Sequence, residues 1–187
     1  RAITSENGET QDVDTHLASL RQRGLVLHRE RSLIAGNQEY QFKHTLLRDV
    51  VYETVLLKHR RLYHKQVAQW IETYAAERLD ERLALVAGHY ADGGQPDLAA
   101  EWYIRAGERA ISLYSMQEAR TWFGQALKYV SSDDLPRRWR ALLGHDEAVG
   151  ALGIVAERHA DDPALLDLAQ QLGDDNRLAV AYYRIGC

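Results

Sequence analysis

Residues 100–133 read AEWYIRAGERAISLYSMQEARTWFGQALKYVSSD, and this stretch decides the fold. A large residue is followed by an apolar residue and glycine, then by two small residues, an aromatic residue and a last small residue. The residues concerned are Tyr103, Ala106, Gly107, Ala110, Ala119, Phe123 and Ala126. Small residues let two helices cross closely, and the aromatic ring fills the space between turns. We therefore predict a helix pair packed through these seven residues, while Gln117 and Arg120 look exposed.

This spacing is that of a tetratricopeptide repeat, with Ser131 in place of the usual final proline. One such unit cannot bury its own faces, so the surrounding helices must stack on it as degenerate repeats. The later helices keep the length of a repeat helix without its signature. We predict a mainly α protein in which residues 59–187 form a short right-handed, TPR-like solenoid of antiparallel helices. Its clearest repeat is 100–133, and it is truncated at the C-terminus.

Apolar periodicity and turn residues predict where the helices of this region begin and end. Gly93 and Gly94 end one helix, Pro96 occupies the first turn of the next, and Pro163 marks a break. The predicted helices cover 83–90, 96–114, 117–130, 135–149, 151–172 and 175 onward. Loops of a few residues between them favour antiparallel neighbours.

The first 58 residues have a different pattern. Asp12 caps a helix over 12–23 that Gly24 ends in a left-handed turn. Two β-favouring stretches around the turn residues 35–38 predict a β-hairpin over 25–43, and a helix over 44–57 follows it. A short helix, a hairpin and a further helix are typical of the last half of a winged helix. We therefore predict a partial winged-helix region over 1–58.

Composition excludes several classes of protein. The 187 residues are 45% apolar and 27% charged, so disorder is not expected. The single cysteine, Cys187, excludes a disulfide framework and a thiolate zinc site. No apolar run could span a membrane and residues 1–10 lack a signal-peptide core, so we expect a cytoplasmic protein. Because residue 1 is Arg and the chain stops abruptly after 184–187, we expect a piece of a longer protein.

Charge is distributed unevenly along the chain. Residues 1–65 contain 11 Lys and Arg against 8 Asp and Glu, whereas residues 66–187 contain 12 against 19. The basic excess within 20–65 fits either a nucleic-acid or nucleotide-facing surface or an ordinary solvated face. Basic residues are not interleaved with aromatic ones as single-strand binding requires, which favours the solvated face.

The chain lacks the sequence patterns of an enzyme. It has neither a phosphate-cradling Gly-rich loop nor a dinucleotide-binding fingerprint, so we expect no catalytic residues and no cofactor in this chain. No two histidines have the spacing of a metal-ligand pair on one helix face; the eight are His16, His28, His44, His59, His64, His89, His145 and His159. Acidic pairs such as Asp133-Asp134 fall at predicted helix junctions, where caps are expected.

A resemblance to a known family covers residues 40–127. The segments YQFKHTLLRDVVY (40–52), RLYH (61–64), GHY (88–90) and AGERA (106–110) resemble the region after the ATPase domain of bacterial STAND-type signalling proteins. These proteins include class III adenylate cyclases and large LuxR-like regulators. The resemblance implies a winged helix followed by tetratricopeptide-like repeats. It also implies an upstream ATPase domain, with ATP or ADP bound there, as a partner in the same polypeptide.

His44 is the one residue for which the resemblance implies a role in nucleotide binding. It follows a strand-like aromatic residue and opens a helix, as does the histidine of the Met-His-Asp type motif that touches the ADP phosphate in STAND ATPases. The third motif residue is Thr45 here rather than Asp. An imidazole N–H beside helix-start amides adds a donor where an anion would lie. The alternative is that His44 only satisfies a backbone carbonyl between hairpin and helix.

Aromatic residues along the chain allow two interpretations. They form either a ligand pocket or ordinary core packing between helix layers, and the second fits the repeat pattern better. The set is His64, His89, Trp70, Trp102, Trp122 and Tyr103.

Two functions are consistent with these observations. The first is a non-catalytic regulatory and protein-interaction module of a larger signal-transduction ATPase, whose repeats receive a protein or small-molecule signal. The second is a DNA-binding winged helix with a helical sensor or dimerisation domain. The helix over 12–23 would then read bases, while Arg21, Arg23, Arg29, Arg31 and Lys43 would contact phosphates. Asp12 and Asp14 at the start of that helix count against it.

Overall fold

The computed structural model describes residues 10–29, 38–74 and 76–186. The described part is mainly helical, with nine α-helices and one two-stranded antiparallel hairpin. This confirms the predicted helical class and the hairpin. The chain divides into two compact units, with the boundary between Ala76 and Glu77.

The first unit contains three helices and the hairpin. Its elements are α1 (Thr10–Gln22), β1 (Val26–Arg29), β2 (Glu39–Phe42), α2 (Thr45–Thr54) and α3 (Leu57–Tyr74). The predicted helix over 44–57 therefore ends three residues early. The hydroxyl of Thr54 donates to the carbonyl oxygen of Val51 at 2.6 Å, which competes with continued helix formation. Asp12 lies within α1 rather than capping it, because the helix already includes Thr10.

The hairpin pairs β1 and β2 in antiparallel register, with Val26 opposite Phe42 and Arg29 opposite Glu39. Val26 is buried, whereas the following residues of β1 are exposed. Gly24 has φ +69, which confirms the predicted left-handed end of α1. Residues 35–37 of the predicted turn, and Arg31, lie outside the described residues.

The second unit continues as helices joined by short turns. A 3₁₀ helix (Ala76–Glu81) spans the boundary between the units. Six α-helices follow it in the described chain: α4 (Leu83–Asp92), α5 (Pro96–Ser112), α6 (Met116–Tyr129), α7 (Leu135–Ala151), α8 (Val155–Leu172) and α9 (Asp175–Ile185). Pro96 occupies the first turn of α5 as predicted. The helix predicted over 151–172 begins four residues later, after Gly153 with φ +69.

Pro163 lies inside α8 and does not break it. A proline removes one backbone hydrogen bond and crowds the preceding turn, so the predicted break was reasonable on local grounds. The next turns of α8 bury Leu165, Leu168 and Ala169 against α7 and α9. Tertiary packing therefore holds the helix continuous through the proline.

Consecutive helices of the second unit pack on each other in chain order, from α4 to α9. Alanine is the commonest buried side chain of this core, and Ala87, Ala99, Ala119 and Ala141 are among those with no exposed surface. Small side chains allow the helix axes to approach closely. A second group of apolar side chains joins α7, α8 and α9, with Trp139, Leu142 and Leu165 at its centre.

Phe123 on α6 is the largest fully buried side chain of the described chain. Its ring lies against two glycines, Gly107 on α5 and Gly144 on α7. A Cβ atom built on Gly107 would come within 2.7 Å of the ring, and one built on Gly144 would overlap it as well. Only hydrogen side chains leave room for the ring, so this glycine–phenylalanine contact fixes three consecutive helices.

We expect Gly144→Ala to destabilise the protein by about 1–3 kcal/mol, because the added methyl group overpacks the Phe123 ring. Gly124→Ala is the matched control, since a Cβ there comes no closer than 3.9 Å to the His145 ring. Replacing that mid-helix glycine should stabilise the protein by about 0.5–1 kcal/mol. Urea unfolding of both variants measures the difference, and equal midpoints would contradict the contact.

Candidate functional site

All seven residues of the predicted helix-pair pattern are buried. Tyr103 stacks on Trp122 with ring centroids 6.0 Å apart and on Tyr129 with centroids 5.9 Å apart. Burial raises the pKa of the Tyr103 phenol, with smaller contributions from Tyr129 and Asp92. The pattern residues therefore form the internal packing of α5 and α6 and offer no reactive group to solvent.

Ion pairs join next-but-one helices along the second unit. Glu101 on α5 accepts hydrogen bonds from Arg137 and Arg140 on α7, each at 3.2 Å. Arg140 also donates to Glu108 on α5 at 2.9 Å. Arg120 on α6 makes a bidentate ion pair with Glu157 on α8, with hydrogen bonds of 2.5 and 2.7 Å. Arg120 is therefore half-buried and paired, which corrects the prediction that it is exposed.

Glu101 is the centre of the pairs between α5 and α7. Burial raises its pKa, but Arg140, Arg137 and Arg105 together outweigh this and hold the pKa below its ordinary value. The carboxylate is therefore ionised whenever the helices are packed at neutral pH. Its three arginines lie on two different helices, so the charge fixes their relative rotation.

A second charged group lies between α7, α8 and α9. Asp146 has no exposed surface. Its carboxylate lies 3.3 Å from Arg158 Nε and 3.4 Å from Arg184 Nη1. Arg158 also donates to the carbonyl oxygen of Arg184 at 3.1 Å, close to the end of α9. Burial raises the pKa of Asp146 despite Arg184 and Arg158.

His145 and Asp161 form a further contact between α7 and α8, at 2.6 Å. Both side chains are mostly buried. Neither serine nor cysteine is joined to this pair by any hydrogen bond that the described residues show. Its geometry is that of a helix-to-helix contact.

A cleft of about 320 Å³ opens between the start of α4, the end of α5 and the start of α6. Small residues line it, together with the larger side chains of Leu83, Leu113 and Trp122, and charged residues surround it. The lining consists of Asp80, Glu81, Leu83, Ala84, Ala106, Arg109, Ala110, Leu113, Glu118 and Trp122. Arg109 Nη1 lies 3.4 Å from the Ser112 hydroxyl oxygen.

Tyr114 lies in the turn after α5, beside the cleft residue Leu113. It is the one non-glycine residue with positive φ (+57) in the described chain, and 86% of its surface is exposed. Tyr114 lies two residues before the start of α6. The residues at the same place before α5, α8 and α9 also have positive φ, and all are glycines: Gly94, Gly153 and Gly173. The turn around Tyr114 is closed like that around Gly94, by a hydrogen bond from Ser115 N to Ala110 O at 2.9 Å.

His44 is the N-cap residue of α2 and is exposed. Its imidazole makes no capping hydrogen bond and no other hydrogen bond to a described residue. As the N-cap residue, His44 directly precedes the first backbone amides of α2.

The first unit presents a mixed basic and apolar surface. Arg21, Arg23 and Lys43 are exposed, whereas Arg29 is paired with Glu39 at 3.0 Å. α2 has no buried residue among those described. Large apolar side chains of α2, α3 and their junction are exposed: Leu46, Val50, Val51, Tyr52, Leu56, Leu57, Leu62 and Tyr63. We call this set the α2–α3 apolar face.

The aromatic residues considered as a ligand pocket are divided between the units. In the first unit, His64 Nε2 and the Tyr52 hydroxyl share a hydrogen bond of 2.9 Å. In the second, Trp102 lies under the guanidinium group of Arg105, 4.8 Å from its carbon to the ring centroid. Tyr103 and Trp122, two of the six residues, stack on each other in the second unit.

Metal sites and membrane-spanning helices are both absent from the described residues. They contain no group of three or more His, Cys, Asp or Glu side chains arranged to hold a metal ion. Within the same ranges, every helix is too short or too polar to cross a bilayer.

Sequence reasoning missed Gly144, Asp146 and Tyr114. Gly144 has the same relation to the Phe123 ring as Gly107, but no surrounding signature marks it. The sequence does contain a signal for Tyr114. It lies two residues before a helix, at the place where the turns before α5, α8 and α9 have glycine. Asp146 had none, since a lone acidic residue in a helix is ordinarily exposed.

The comparisons with known proteins give one relative. A stretch of 107 residues, 52% of this chain, is 31% identical to an uncharacterized protein of Rhizobium meliloti (strain 1021). The match covers 9% of that protein's length. No family model matches the chain, and no solved structure matches it.

We expect Glu101→Gln to lower the free energy of unfolding at pH 7 by about 1 kcal/mol, because it removes the charge that three arginines face. The pKa of Glu101 is lowered on folding, so its contribution exists above the ordinary value of 4.5 and is lost as pH falls through the folded pKa. The difference between wild type and variant should therefore vanish in acid. Urea unfolding from pH 7 to pH 3 tests this, and a constant difference would count against it.

Tyr114→Gly should leave the free energy of unfolding unchanged or raise it by up to about 1 kcal/mol, because glycine adopts positive φ without the Cβ clash. Tyr183→Ala is the control, since Tyr183 is exposed on α9 at ordinary helical φ. Thermal unfolding measures both. A marked loss of stability in Tyr114→Gly would mean that the tyrosine ring packs in the fold.

Proposed function

We propose that the chain is a non-catalytic regulatory and protein-interaction module of a larger bacterial signal-transduction ATPase. In this proposal the second unit is a TPR-like solenoid that receives a partner, and the first unit is a partial winged helix that contacts an upstream ATPase domain. A location in the cytoplasm goes with it. The observation that carries the proposal is the repeated way in which next-but-one helices are joined.

Three contacts support the repeat arrangement. Glu101 links α5 to α7, Arg120 and Glu157 link α6 to α8, and Asp146 and Arg184 link α7 to α9. Contacts between each helix and the next but one are expected when odd-numbered and even-numbered helices form the two layers of one stack. The Phe123 ring lies between glycines of α5 and α7, two helices of 17 residues each. Such a stack is a rigid platform rather than a catalytic site.

The first unit supports a docking role. A helix without buried residues, such as α2, gains stability only when another surface covers its apolar side chains. Leu46 at its start is 76% exposed. The relative from Rhizobium meliloti has the matched stretch within a chain many times longer. A neighbouring domain of such a protein would supply the missing surface.

The upstream domain gives His44 its proposed role. An exposed imidazole on the N-cap residue of α2 can donate to a phosphate oxygen of ADP bound in that domain. A signal on the repeats would then favour the arrangement in which this contact is absent, releasing the ATPase by a shift of populations. The isolated chain lacks a phosphate-cradling loop and should bind neither ATP nor ADP.

The experiment starts from the coding sequence upstream of residue 1, where a P-loop is expected within a few hundred residues. In the full-length protein, we expect His44→Ala to accelerate release of a fluorescent ADP analogue by about tenfold, the effect of losing one hydrogen bond to a charged group. His59→Ala on α3 is the matched control and should leave release unchanged. Calorimetry of the isolated chain with ATP and ADP should show no heat of binding.

Two results would reject the proposal. One is an upstream sequence without a nucleotide-binding domain, and the other is micromolar binding of ATP by the isolated chain. A salt-sensitive gel shift with DNA would instead favour a DNA-binding winged helix.

A further inference from the structure

We infer that the cleft between α4, α5 and α6, together with Leu113 and Tyr114, is a docking site for a basic, partly apolar peptide segment of a partner protein. This inference rests on the proposed function of the second unit as an interaction platform. It adds to that function the location of the contact and the chemistry of the partner.

The first step of the argument is the backbone at Tyr114. A tyrosine in the left-handed region is strained by its Cβ atom, whereas glycine is not, and equivalent turns of this unit use glycine. The ring returns no stability by packing, because 86% of its surface is exposed. Strain of this kind at a surface position is typical of binding sites. A tyrosine ring is also among the commonest anchors of protein interfaces.

The second step is the shape of the neighbouring surface. Leu113 is largely exposed and lines the cleft directly beside Tyr114. Ala84, Ala106 and Ala110 provide the small side chains that leave the cleft open. The result is an apolar depression of about 320 Å³ next to an exposed aromatic ring. An aliphatic stem fits such a depression.

The third step is charge. Among the described residues that line the cleft, the carboxylates of Asp80 and Glu118 lie with one guanidinium group, that of Arg109. The excess of negative charge favours a cationic occupant and disfavours an acidic one. Trp122 stacks on Tyr103 and also lines the cleft, so its ring is fixed where a cation can lie against it. Lysine and arginine combine an apolar stem with a cationic head, which matches both features.

The test uses the whole 187-residue chain and a phage-displayed library of short random peptides. Peptides selected on the wild-type chain should be enriched in Arg or Lys beside Leu or aromatic residues. Resynthesised peptides should bind Tyr114→Gly and Glu118→Arg at least about tenfold more weakly than wild type, measured by fluorescence polarisation. Tyr183→Ala, another exposed tyrosine, should bind like wild type.

Melting midpoints separate binding from folding, since Tyr114→Gly should melt no lower than wild type while it loses the peptide. The inference is overturned if the selected peptides are acidic or neutral. It is also overturned if basic peptides bind Tyr114→Gly and Glu118→Arg as tightly as wild type. Peptides that instead lose affinity on Arg105→Glu, on the face of α5 that pairs with Glu101, would place the contact elsewhere and leave the proposed function standing. Failure to enrich any peptide would count against both the docking site and the proposed function of the second unit.

Discussion

The second unit depends on the contact between one phenylalanine ring and two glycines. Phe123 has almost no exposed surface, and the flat faces of its ring need the space that Gly107 and Gly144 leave. Each glycine weakens its own helix, because glycine has the lowest helix propensity after proline. Burial of an aromatic ring across two helix interfaces more than offsets that local cost. The positions of α5, α6 and α7 therefore follow from a single steric constraint.

Around that contact, charges set the rotation of the helices rather than the strength of their packing. Glu101 and Asp146 illustrate two different balances. Burial works against ionisation at both, but the arginines facing Glu101 prevail and its pKa falls, whereas burial prevails at Asp146 and its pKa rises. Ionised Glu101 stabilises the fold above its ordinary pKa. The raised pKa of Asp146 means that its contribution is greatest in acid and declines as pH rises through the folded value.

The buried Asp146 carboxylate connects three helices. Asp146 lies between Arg158 and Arg184, and Arg158 also holds the backbone near the end of α9. An apolar side chain in its place would leave two arginines without their shared partner. The carboxylate thus selects one position of α9 on α7 and α8. Apolar contacts alone, through Ala181 and Leu168, would tolerate neighbouring positions.

Features that depend on residues close together in the sequence could be predicted, whereas features that depend on contacts between distant residues could not. Helix existence and the hairpin were readable because periodicity and turn residues are local signals, and Pro96 and Gly24 have the predicted roles. Tertiary contacts decided what local rules got wrong, as at Pro163, where packing of the following turns keeps α8 continuous. Arg120 looked exposed because its partner, Glu157, is distant in sequence. The seven pattern residues define the packing of α5 and α6, and although Ala106 and Ala110 also line the cleft, nothing in the pattern marks them as surface residues.

The position of Tyr114 connects the packing of the core to the exposed surface. A left-handed tyrosine persists only when the surrounding structure overdetermines its conformation. Here α5 and α6 are fixed on both sides of the turn, by the Phe123 ring and by the stack of Tyr103 on Trp122. The hydrogen bond from Ser115 to Ala110 closes the turn between them. Because the two helices cannot move apart, the turn has no relaxed alternative, and the strain is carried by the rigid pair. A rigid turn holds the backbone of Tyr114 in one conformation, so little loop freedom is lost when a partner binds there. The same close packing that buries the repeat residues therefore makes an exposed, strained tyrosine useful for recognition.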